Sequence, residues 1–299
     1  MHGTGVPLVT PFDTSGRVDH ARLEELVRWV TDCGVDFLVP CGSSGEAPLL
    51  TTDERVRVVE SVADATDRPV LAGTGCEGYE PTLETTERAA AVGADAALVV
   101  TPSYYRSDDA ALEAYYRDLA DDSPVPIYLY SVPKFTGHAL SPRTVASLAG
   151  HENIAGIKDS SGSLESLQRL VDRTADESFA VLVGSGSVYA AGLAAGADGG
   201  VLAMANVVPE RANGIYRRHA DGESDEARSR NAALVDLNHA VTTRYGVPGI
   251  KAALSARDRP AGSLRRPLRP LEDAARRDLE STLADALEAA SAPDADPST

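Results

Sequence analysis

A chain of 299 residues with 43% hydrophobic side chains is long enough to bury one large core or two small ones. Its formal net charge of −17 argues against nucleic-acid binding, which requires a basic surface. No apolar run reaches the ~18 to 20 residues that span a bilayer, and the first residues lack the pattern of a secretory signal. We therefore expect a cytoplasmic protein that binds neither nucleic acid nor membrane.

The basic residues and the cysteines indicate the salt and redox conditions in which the protein works. Only Lys134, Lys158 and Lys251 are lysines, and the other basic residues are arginines. An acidic, lysine-poor surface favours a halophilic, salt-rich cytosol that screens self-repulsion; a GC-rich genome that favours arginine codons is the alternative. The three cysteines form no CxxC pair and have no histidine cluster nearby, so we expect free thiols and no metal site.

Short β-branched segments alternate with amphipathic helical segments over the first two thirds of the chain. Most of the predicted strands are continuous apolar runs, as strands buried on both faces should be. They span residues 5–10, 36–41, 69–73, 96–101, 127–130, 154–158, 180–184 and 199–203. Eight strands with helices between them predict an α/β fold, the (β/α)8 TIM barrel. A doubly wound open sheet is the alternative, because alternation does not show closure.

The strand patterns stop beyond Pro209, and helical patterns replace them. The predicted helices span residues 210–219, 225–242, 249–256 and 271–290. We therefore expect a barrel over residues 1–205 and a C-terminal helical extension of the same domain over residues 206–290. Residues 291–299 are small, acidic and proline-containing, which predicts a flexible tail.

Lys158 is the strongest candidate for chemistry, because parallel barrels carry their active sites at the carboxyl ends of the strands. It follows the apolar run Ile154-Ala155-Gly156-Ile157, so its side chain is predicted to enter the barrel mouth. A lysine in such a place must be paired or uncharged, and an uncharged amine is what imine formation with a ketone requires. The alternative is a structural ion pair with Glu46 or Asp159.

Two further groups are predicted to lie near this lysine. Tyr130 ends the preceding strand, where a phenol can carry protons, although a core aromatic is the alternative. The loop Gly42-Ser43-Ser44-Gly45-Glu46 offers backbone N–H groups and hydroxyls that suit a small carboxylate. The alternative for this loop is a plain turn that leads into the helix cap at Thr51.

These strand-end motifs resemble the dihydrodipicolinate synthase / N-acetylneuraminate lyase family of class I pyruvate-dependent aldolases. The resemblance runs from about Gly5 through Ala256. The motifs that carry it are Leu129-Tyr130-Ser131-Val132-Pro133, Gly156-Ile157-Lys158-Asp159-Ser160-Ser161-Gly162, Val9-Thr10-Pro11-Phe12, the Gly42–Glu46 loop, Thr101-Pro102-Ser103-Tyr104-Tyr105 and Ala205-Asn206-Val207. It implies a (β/α)8 barrel with a helical C-terminal part, a homotetramer built from dimers, and chemistry without a metal or organic cofactor.

The resemblance also implies residue roles. Lys158 would be the Schiff-base lysine and Tyr130 the proton shuttle, while Ser43 and Ser44 would hold the carboxylate of pyruvate and relay protons. Tyr105 would complete the relay in the neighbouring subunit's site, with Tyr104 as the alternative because Ser103 shifts the alignment by one residue. The expected catalytic residues are thus Lys158, Tyr130, Ser44 and Tyr105. The expected substrate-binding residues are Gly42, Ser43, Ser44, Gly184 and Leu202.

One departure from the family bears on the substrate. Lysine-pathway synthases of the family carry an arginine after the Val-Pro pair, where it binds the carboxylate of the aldehyde, and here Phe135 takes that place. The neighbouring Lys134 is a poor substitute for a bidentate guanidinium. We therefore expect a lyase that cleaves a 4-hydroxy-2-oxo acid of the 2-keto-3-deoxy sugar acid or 4-hydroxy-2-oxoglutarate type to pyruvate and an aldehyde. The alternatives are 4-hydroxy-tetrahydrodipicolinate synthase and a non-catalytic pyruvate-binding protein.

Overall fold

Eight short parallel strands form the centre of the protein in a computed structural model that describes residues 1–289. The predicted tail, residues 291–299, lies outside the described residues. The strands are β1 (Gly3–Val6), β2 (Phe37–Leu38), β3 (Leu71–Gly73), β4 (Ala96–Val100), β5 (Ile127–Ser131), β6 (Ile154–Asp159), β7 (Ala180–Val183) and β8 (Gly199–Val201). Nearly all of their residues are buried, in agreement with the continuous apolar runs of the sequence.

The strands close into a barrel. Each strand from β3 to β8 pairs with the next along the chain, β8 pairs with β1, and β1 pairs with β2. A parallel bridge between Leu38 and Val70 joins β2 to the chain just before β3, and the Leu38 N–H donates to the Pro69 carbonyl at 2.9 Å. This bridge excludes the doubly wound open sheet and confirms the predicted (β/α)8 TIM barrel.

Helices cover the outside of the barrel and continue beyond the last strand. Between the strands lie α1 (His20–Asp32), α2 (Thr52–Asp64), α3 (Tyr79–Ala91), α4 (Asp109–Asp122), α5 (Pro133–Thr136), α6 (Pro142–Ala149), α7 (Leu164–Arg173) and α8 (Tyr189–Ala194). After β8 follow α9 (Pro209–Ala220), α10 (Ser224–Ala232), α11 (Val235–His239), α12 (Gly246–Ala256) and α13 (Asp273–Ala289). The first helix buries Leu23, Leu26, Val27 and Val30, one apolar stripe of helical spacing.

The structure differs from the sequence prediction at two places that matter for the site. The first strand ends at Val6, because Pro7 has no N–H to donate to the sheet. The predicted helix 225–242 is broken: α10 ends at Ala232, and a π-helical turn, Ala240–Arg244, follows α11. That turn is closed by a hydrogen bond from the Tyr245 N–H to the Ala240 carbonyl.

Helix α12 lines the barrel mouth, and α13 packs against α11 and α12. Helix α13 buries Leu279, Leu283 and Ala286, while α12 buries Ile250 and Leu254. Within residues 1–289, no helix has the length and apolar character that crossing a bilayer requires. The boundary of the extension at residue 206 stays a prediction.

Candidate active site

A cavity of about 290 Å³ opens at the carboxyl ends of the strands. Ser43 and Ser44 enter it from the loop after β2, Tyr130 from β5 and Lys158 from β6. The structure thus brings together four of the residues for which the sequence predicted a catalytic or binding role.

Lys158 and Tyr130 are direct neighbours across the sheet. They pair in register between β5 and β6, and the Lys158 Nζ lies 4.2 Å from the centroid of the Tyr130 ring. Their side chains are almost fully buried, with 4% and 5% exposed. The Tyr130 hydroxyl lies 3.4 Å from the Ser43 Oγ. An amine, a phenol and a serine hydroxyl therefore form a connected set at the bottom of the cavity.

The surroundings of Tyr130 favour its ionised form. Burial alone would raise the pKa of the phenol, but the Lys158 ammonium and hydrogen bonds from Ser43, Lys158 and Ser160 outweigh it and lower the pKa below its ordinary value. A phenol with a lowered pKa is a better proton acceptor near neutral pH than a free tyrosine.

The two acids that could have paired with Lys158 have other partners. The Glu46 carboxylate lies 2.6 Å from the Lys251 Nζ. Asp159 accepts hydrogen bonds from the Ser161 N–H at 2.8 Å and from its hydroxyl at 2.9 Å, and burial raises the pKa of this carboxyl. These contacts leave the Lys158 amine facing Tyr130 and the cavity.

The serine loop is a tight turn with left-handed residues at both ends. Cys41 has φ 56° and Glu46 has φ 57°, a region that L-residues seldom adopt. Inside the turn, the Gly45 N–H donates to the Gly42 carbonyl at 3.0 Å. Gly42 itself lines a smaller cavity of about 70 Å³ behind the loop, together with Ser43 and Tyr130.

The two substrate-binding residues predicted after β7 and β8 lie in different surroundings. Gly184 lines the main cavity, and a Cβ there would lie 1.9 Å from the Ser160 Oγ, so the position requires glycine. The Leu202 side chain is fully buried in the core instead, and its neighbours Val201 and Ala203 line the cavity. Alternate side chains of extended chain point to opposite sides, so the Leu202 side chain faces the core while its neighbours face the cavity, and the role of Leu202 in substrate binding stays a prediction.

Tyr104 and Tyr105 do not line the cavity that contains Lys158. Their side chains are 79% and 78% exposed, and their rings contact each other edge to face at 5.0 Å. The Glu77 carboxylate holds their loop, because it accepts hydrogen bonds from the N–H groups of Ser103 and Tyr104 at 2.8 and 2.9 Å. Both tyrosines therefore project from the surface of this chain.

The C-terminal helices contribute lining residues that the sequence analysis missed. Thr242 and Thr243 of the π-helical turn line the cavity, as does Asn238 of α11. The Thr242 carbonyl accepts a hydrogen bond from the Lys134 Nζ at 2.8 Å, which ties the turn to α5. No sequence signal marks this turn, because its residues continue a helical pattern. Within residues 1–289, no group of three or more histidine, cysteine, aspartate or glutamate side chains could hold a metal ion.

Comparison with known proteins decides the family. The model of the dihydrodipicolinate synthetase family matches residues 1–286. The chain belongs to this family. It is therefore an enzyme, a carbon–carbon lyase of the type that forms a Schiff base.

Relatives within the family carry two different names. The chain is 41% identical to an uncharacterized DapA-like lyase of Halobacterium salinarum, over 95% of this chain and 94% of the relative. It is 38% identical to the 4-hydroxy-tetrahydrodipicolinate synthase of Methanothrix thermoacetophila, over 91% and 92% of the two chains. The Halobacterium relative supports the halophilic interpretation of the acidic composition.

Solved structures of the family confirm the fold at lower sequence identity. YagE from Escherichia coli K12, solved in complex with pyruvate, superimposes with a TM-score of 0.92 at 29% identity, covering 96% of this chain and 99% of that one. The dihydrodipicolinate synthase of Acinetobacter baumannii, also complexed with pyruvate, gives 0.90 at 31% identity, covering 95% and 98%.

Proposed function

We propose that this lyase cleaves a 4-hydroxy-2-oxo acid into pyruvate and an aldehyde through an imine on Lys158. The observation that carries the proposal is the buried contact between the Lys158 amine and the Tyr130 phenol at the bottom of the cavity. The pyruvate complexes of YagE and of the Acinetobacter synthase support pyruvate as the bound 2-oxo acid.

Lys158, Tyr130 and the two serines each carry out a different step of the proposed reaction. The Lys158 amine attacks the 2-oxo carbon, and loss of water gives a protonated imine that accepts the electron pair of the breaking C3–C4 bond. The Tyr130 phenolate takes the proton of the C4 hydroxyl, so that the aldehyde leaves, and the phenol then returns a proton to C3 of the enamine. Hydrolysis of the imine releases pyruvate. Ser43 and Ser44 hold the substrate carboxylate and relay protons through the Ser43–Tyr130 contact.

The hydroxyl-rich lining of the cavity favours a hydroxylated tail over a charged one. Its lining includes Ser160, Ser161, Ser185 and Thr243, all of which can exchange hydrogen bonds with hydroxyl groups. Lys134 is the basic residue of that lining besides Lys158, and its ammonium is already bonded to the Thr242 carbonyl. We therefore favour a 2-keto-3-deoxy sugar acid over 4-hydroxy-2-oxoglutarate, whose aldehyde half carries a second carboxylate.

A second candidate is the condensation of pyruvate with aspartate semialdehyde. The name of the Methanothrix relative favours it. Phe135 counts against it, because its side chain is 63% exposed at the cavity mouth where a carboxylate-binding guanidinium would be needed.

We further propose a cytoplasmic homotetramer built from dimers in which Tyr105, or Tyr104, reaches the site of the neighbouring copy. An apolar groove of about 690 Å³ adjoins the cavity and shares Ser43, Val132 and Phe135 with it. The exposed tyrosine pair of one copy could pack into a surface of a second copy, and the apolar groove is a candidate for that surface.

Pyruvate release coupled to lactate dehydrogenase tests the proposal. The substrates are 4-hydroxy-2-oxoglutarate, 2-keto-3-deoxygluconate, its 6-phosphate and N-acetylneuraminate, each at low and high salt with a salt control for the coupling enzyme. Release from 2-keto-3-deoxygluconate that is absent in Lys158→Arg supports the proposal. No release from any of the four, together with pyruvate consumption in the presence of aspartate semialdehyde, would establish the synthase instead.

A further inference from the structure

A buried ion pair lies directly behind the serine loop and has no part in the proposed chemistry. The Lys251 Nζ lies 2.6 Å from the Glu46 Oε1, and the two residues are only 3% and 2% exposed. Glu46 is the last residue of the loop that carries Ser43 and Ser44, while Lys251 belongs to α12. Burying two charges is costly unless their geometry and hydrogen bonds are well satisfied.

The pair is part of a larger hydrogen-bond network that holds the loop. Lys251 also donates to the carbonyls of Thr10 at 2.7 Å and Ser263 at 2.6 Å. The Thr10 hydroxyl in turn donates to the Gly45 carbonyl at 2.7 Å. The Lys251 ammonium thus contacts both groups that hold the end of the loop. These are the Glu46 carboxylate and Thr10, which is bonded to Gly45.

The second oxygen of the Glu46 carboxylate is also occupied. It accepts the Arg265 N–H at 3.0 Å, and the guanidinium of Arg265 donates to the Leu49 carbonyl at 2.9 Å, just beyond the loop. Glu46 is held in a left-handed backbone conformation that depends on such surrounding contacts. Small displacements of Glu46 would therefore be passed to the serines through the hydrogen bond from its N–H to the Ser43 carbonyl.

The same lysine belongs to the helix that forms another wall of the cavity. Gly246, Val247 and Ile250 of α12 line the cavity, and Lys251 follows Ile250 in that helix. The ion pair therefore sets the distance between the serine loop and the C-terminal wall of the site.

We propose that Glu46 and Lys251 are positioning residues that hold Ser43 and Ser44 in the geometry that binds the carboxylate of the 2-oxo acid. This inference rests on the proposed function, because it assumes that the serines receive that carboxylate. It assigns to the C-terminal helices a role in substrate affinity through contacts that do not touch the substrate.

The test measures the pyruvate concentration that half-saturates borohydride trapping, together with the maximal trapped fraction. Glu46→Gln is expected to raise the half-saturating concentration about ten-fold and to leave the maximal fraction unchanged, because a misplaced receptor weakens binding without removing the amine. Glu210→Gln, which breaks a half-exposed ion pair with Arg257 away from the loop, serves as the matched control and should leave both values unchanged. If Glu46→Gln does not fold, Lys251→Arg is measured in its place.

A double-mutant cycle separates positioning from general structural damage. In a Ser43→Ala/Ser44→Ala background, Glu46→Gln should have little further effect, since the groups that it positions are gone. The inference would be overturned if Glu46→Gln raised the half-saturating pyruvate concentration about as much in that background as in wild type. It would also be overturned if folded Glu46→Gln left this concentration unchanged. Wild-type protein that traps no pyruvate at all would instead contradict the proposed function.

Discussion

The Lys158 Nζ lies 4.2 Å from the centroid of the Tyr130 ring, at the same level of two neighbouring strands. The pairing register places a nucleophilic amine and a proton carrier side by side without the help of a flexible loop. Because both groups are buried, their charges influence each other far more strongly than they would in water.

The ionisation of Tyr130 should depend on Lys158. The lysine ammonium is the largest influence that lowers the pKa of the phenol, whereas burial raises it. Replacing Lys158 by methionine should therefore move the phenolate absorbance of one tyrosine to higher pH in an ultraviolet difference titration. Tyr130→Phe identifies the signal, since it should lose this step altogether. Superimposable titrations of wild type and Lys158→Met would show that the two groups do not interact.

Tyr130→Phe should separate imine formation from cleavage. The variant keeps Lys158 and the serine loop, so pyruvate should still be trapped at the lysine by borohydride. It lacks the proton carrier, so kcat for the cleaved sugar acid should fall about 10²- to 10⁴-fold. Near-normal turnover in this variant would assign proton transfer to another group.

Phe135→Arg should shift the substrate preference toward aldehydes that carry a carboxylate. Phe135 lines the cavity mouth, and a guanidinium can bind a carboxylate through two parallel hydrogen bonds. We expect the KM for 4-hydroxy-2-oxoglutarate to fall roughly ten-fold relative to that for 2-keto-3-deoxygluconate, as one charge-assisted contact allows. Phe135→Leu controls for loss of the aromatic ring. In this variant the KM for 4-hydroxy-2-oxoglutarate should not fall relative to that for 2-keto-3-deoxygluconate.

The Arg265–Glu54 ion pair should contribute to stability in a pH-dependent way. Both carboxylate oxygens of Glu54 accept from the guanidinium at 2.7 Å, and this hydrogen bonding lowers the pKa of Glu54 to about 2. A lowered folded-state pKa stabilises the protein above the unfolded pKa of about 4.3, and the contribution is lost as the pH falls toward about 2.

Glu54→Gln should therefore lower the free energy of unfolding at neutral pH by about 2 kcal/mol, and the difference from wild type should shrink in acid. Denaturant unfolding at a series of pH values measures both quantities. Glu24→Gln, which removes an exposed pair with Arg28 on α1, should have almost no effect. If the difference in free energy of unfolding between wild type and Glu54→Gln did not change with pH, the ion pair with Arg265 would not be the source of the pH-dependent stability.

The sequence predicts the barrel and the centre of the site because both depend on local patterns. The apolar run before Lys158 and the strand that ends at Tyr130 place these residues at the barrel mouth once alternation identifies the fold. The sequence does not predict the break of the helix 225–242, because no glycine or proline interrupts that segment. It also misses the Glu46–Lys251 pair, since charged partners far apart in the chain leave no periodic signal. The role of Leu202 in substrate binding stays a prediction, because its side chain faces the core and its neighbours line the cavity.

Borohydride trapping with pyruvate, followed by peptide mapping, tests the central claim most directly. The chain has only three lysines, Lys134, Lys158 and Lys251, so the modified residue can be assigned without ambiguity. The account predicts one reduced pyruvate adduct on the peptide that contains Lys158, and none in folded Lys158→Arg. An adduct on Lys134 or Lys251 instead, or no adduct in active wild-type protein, would contradict it.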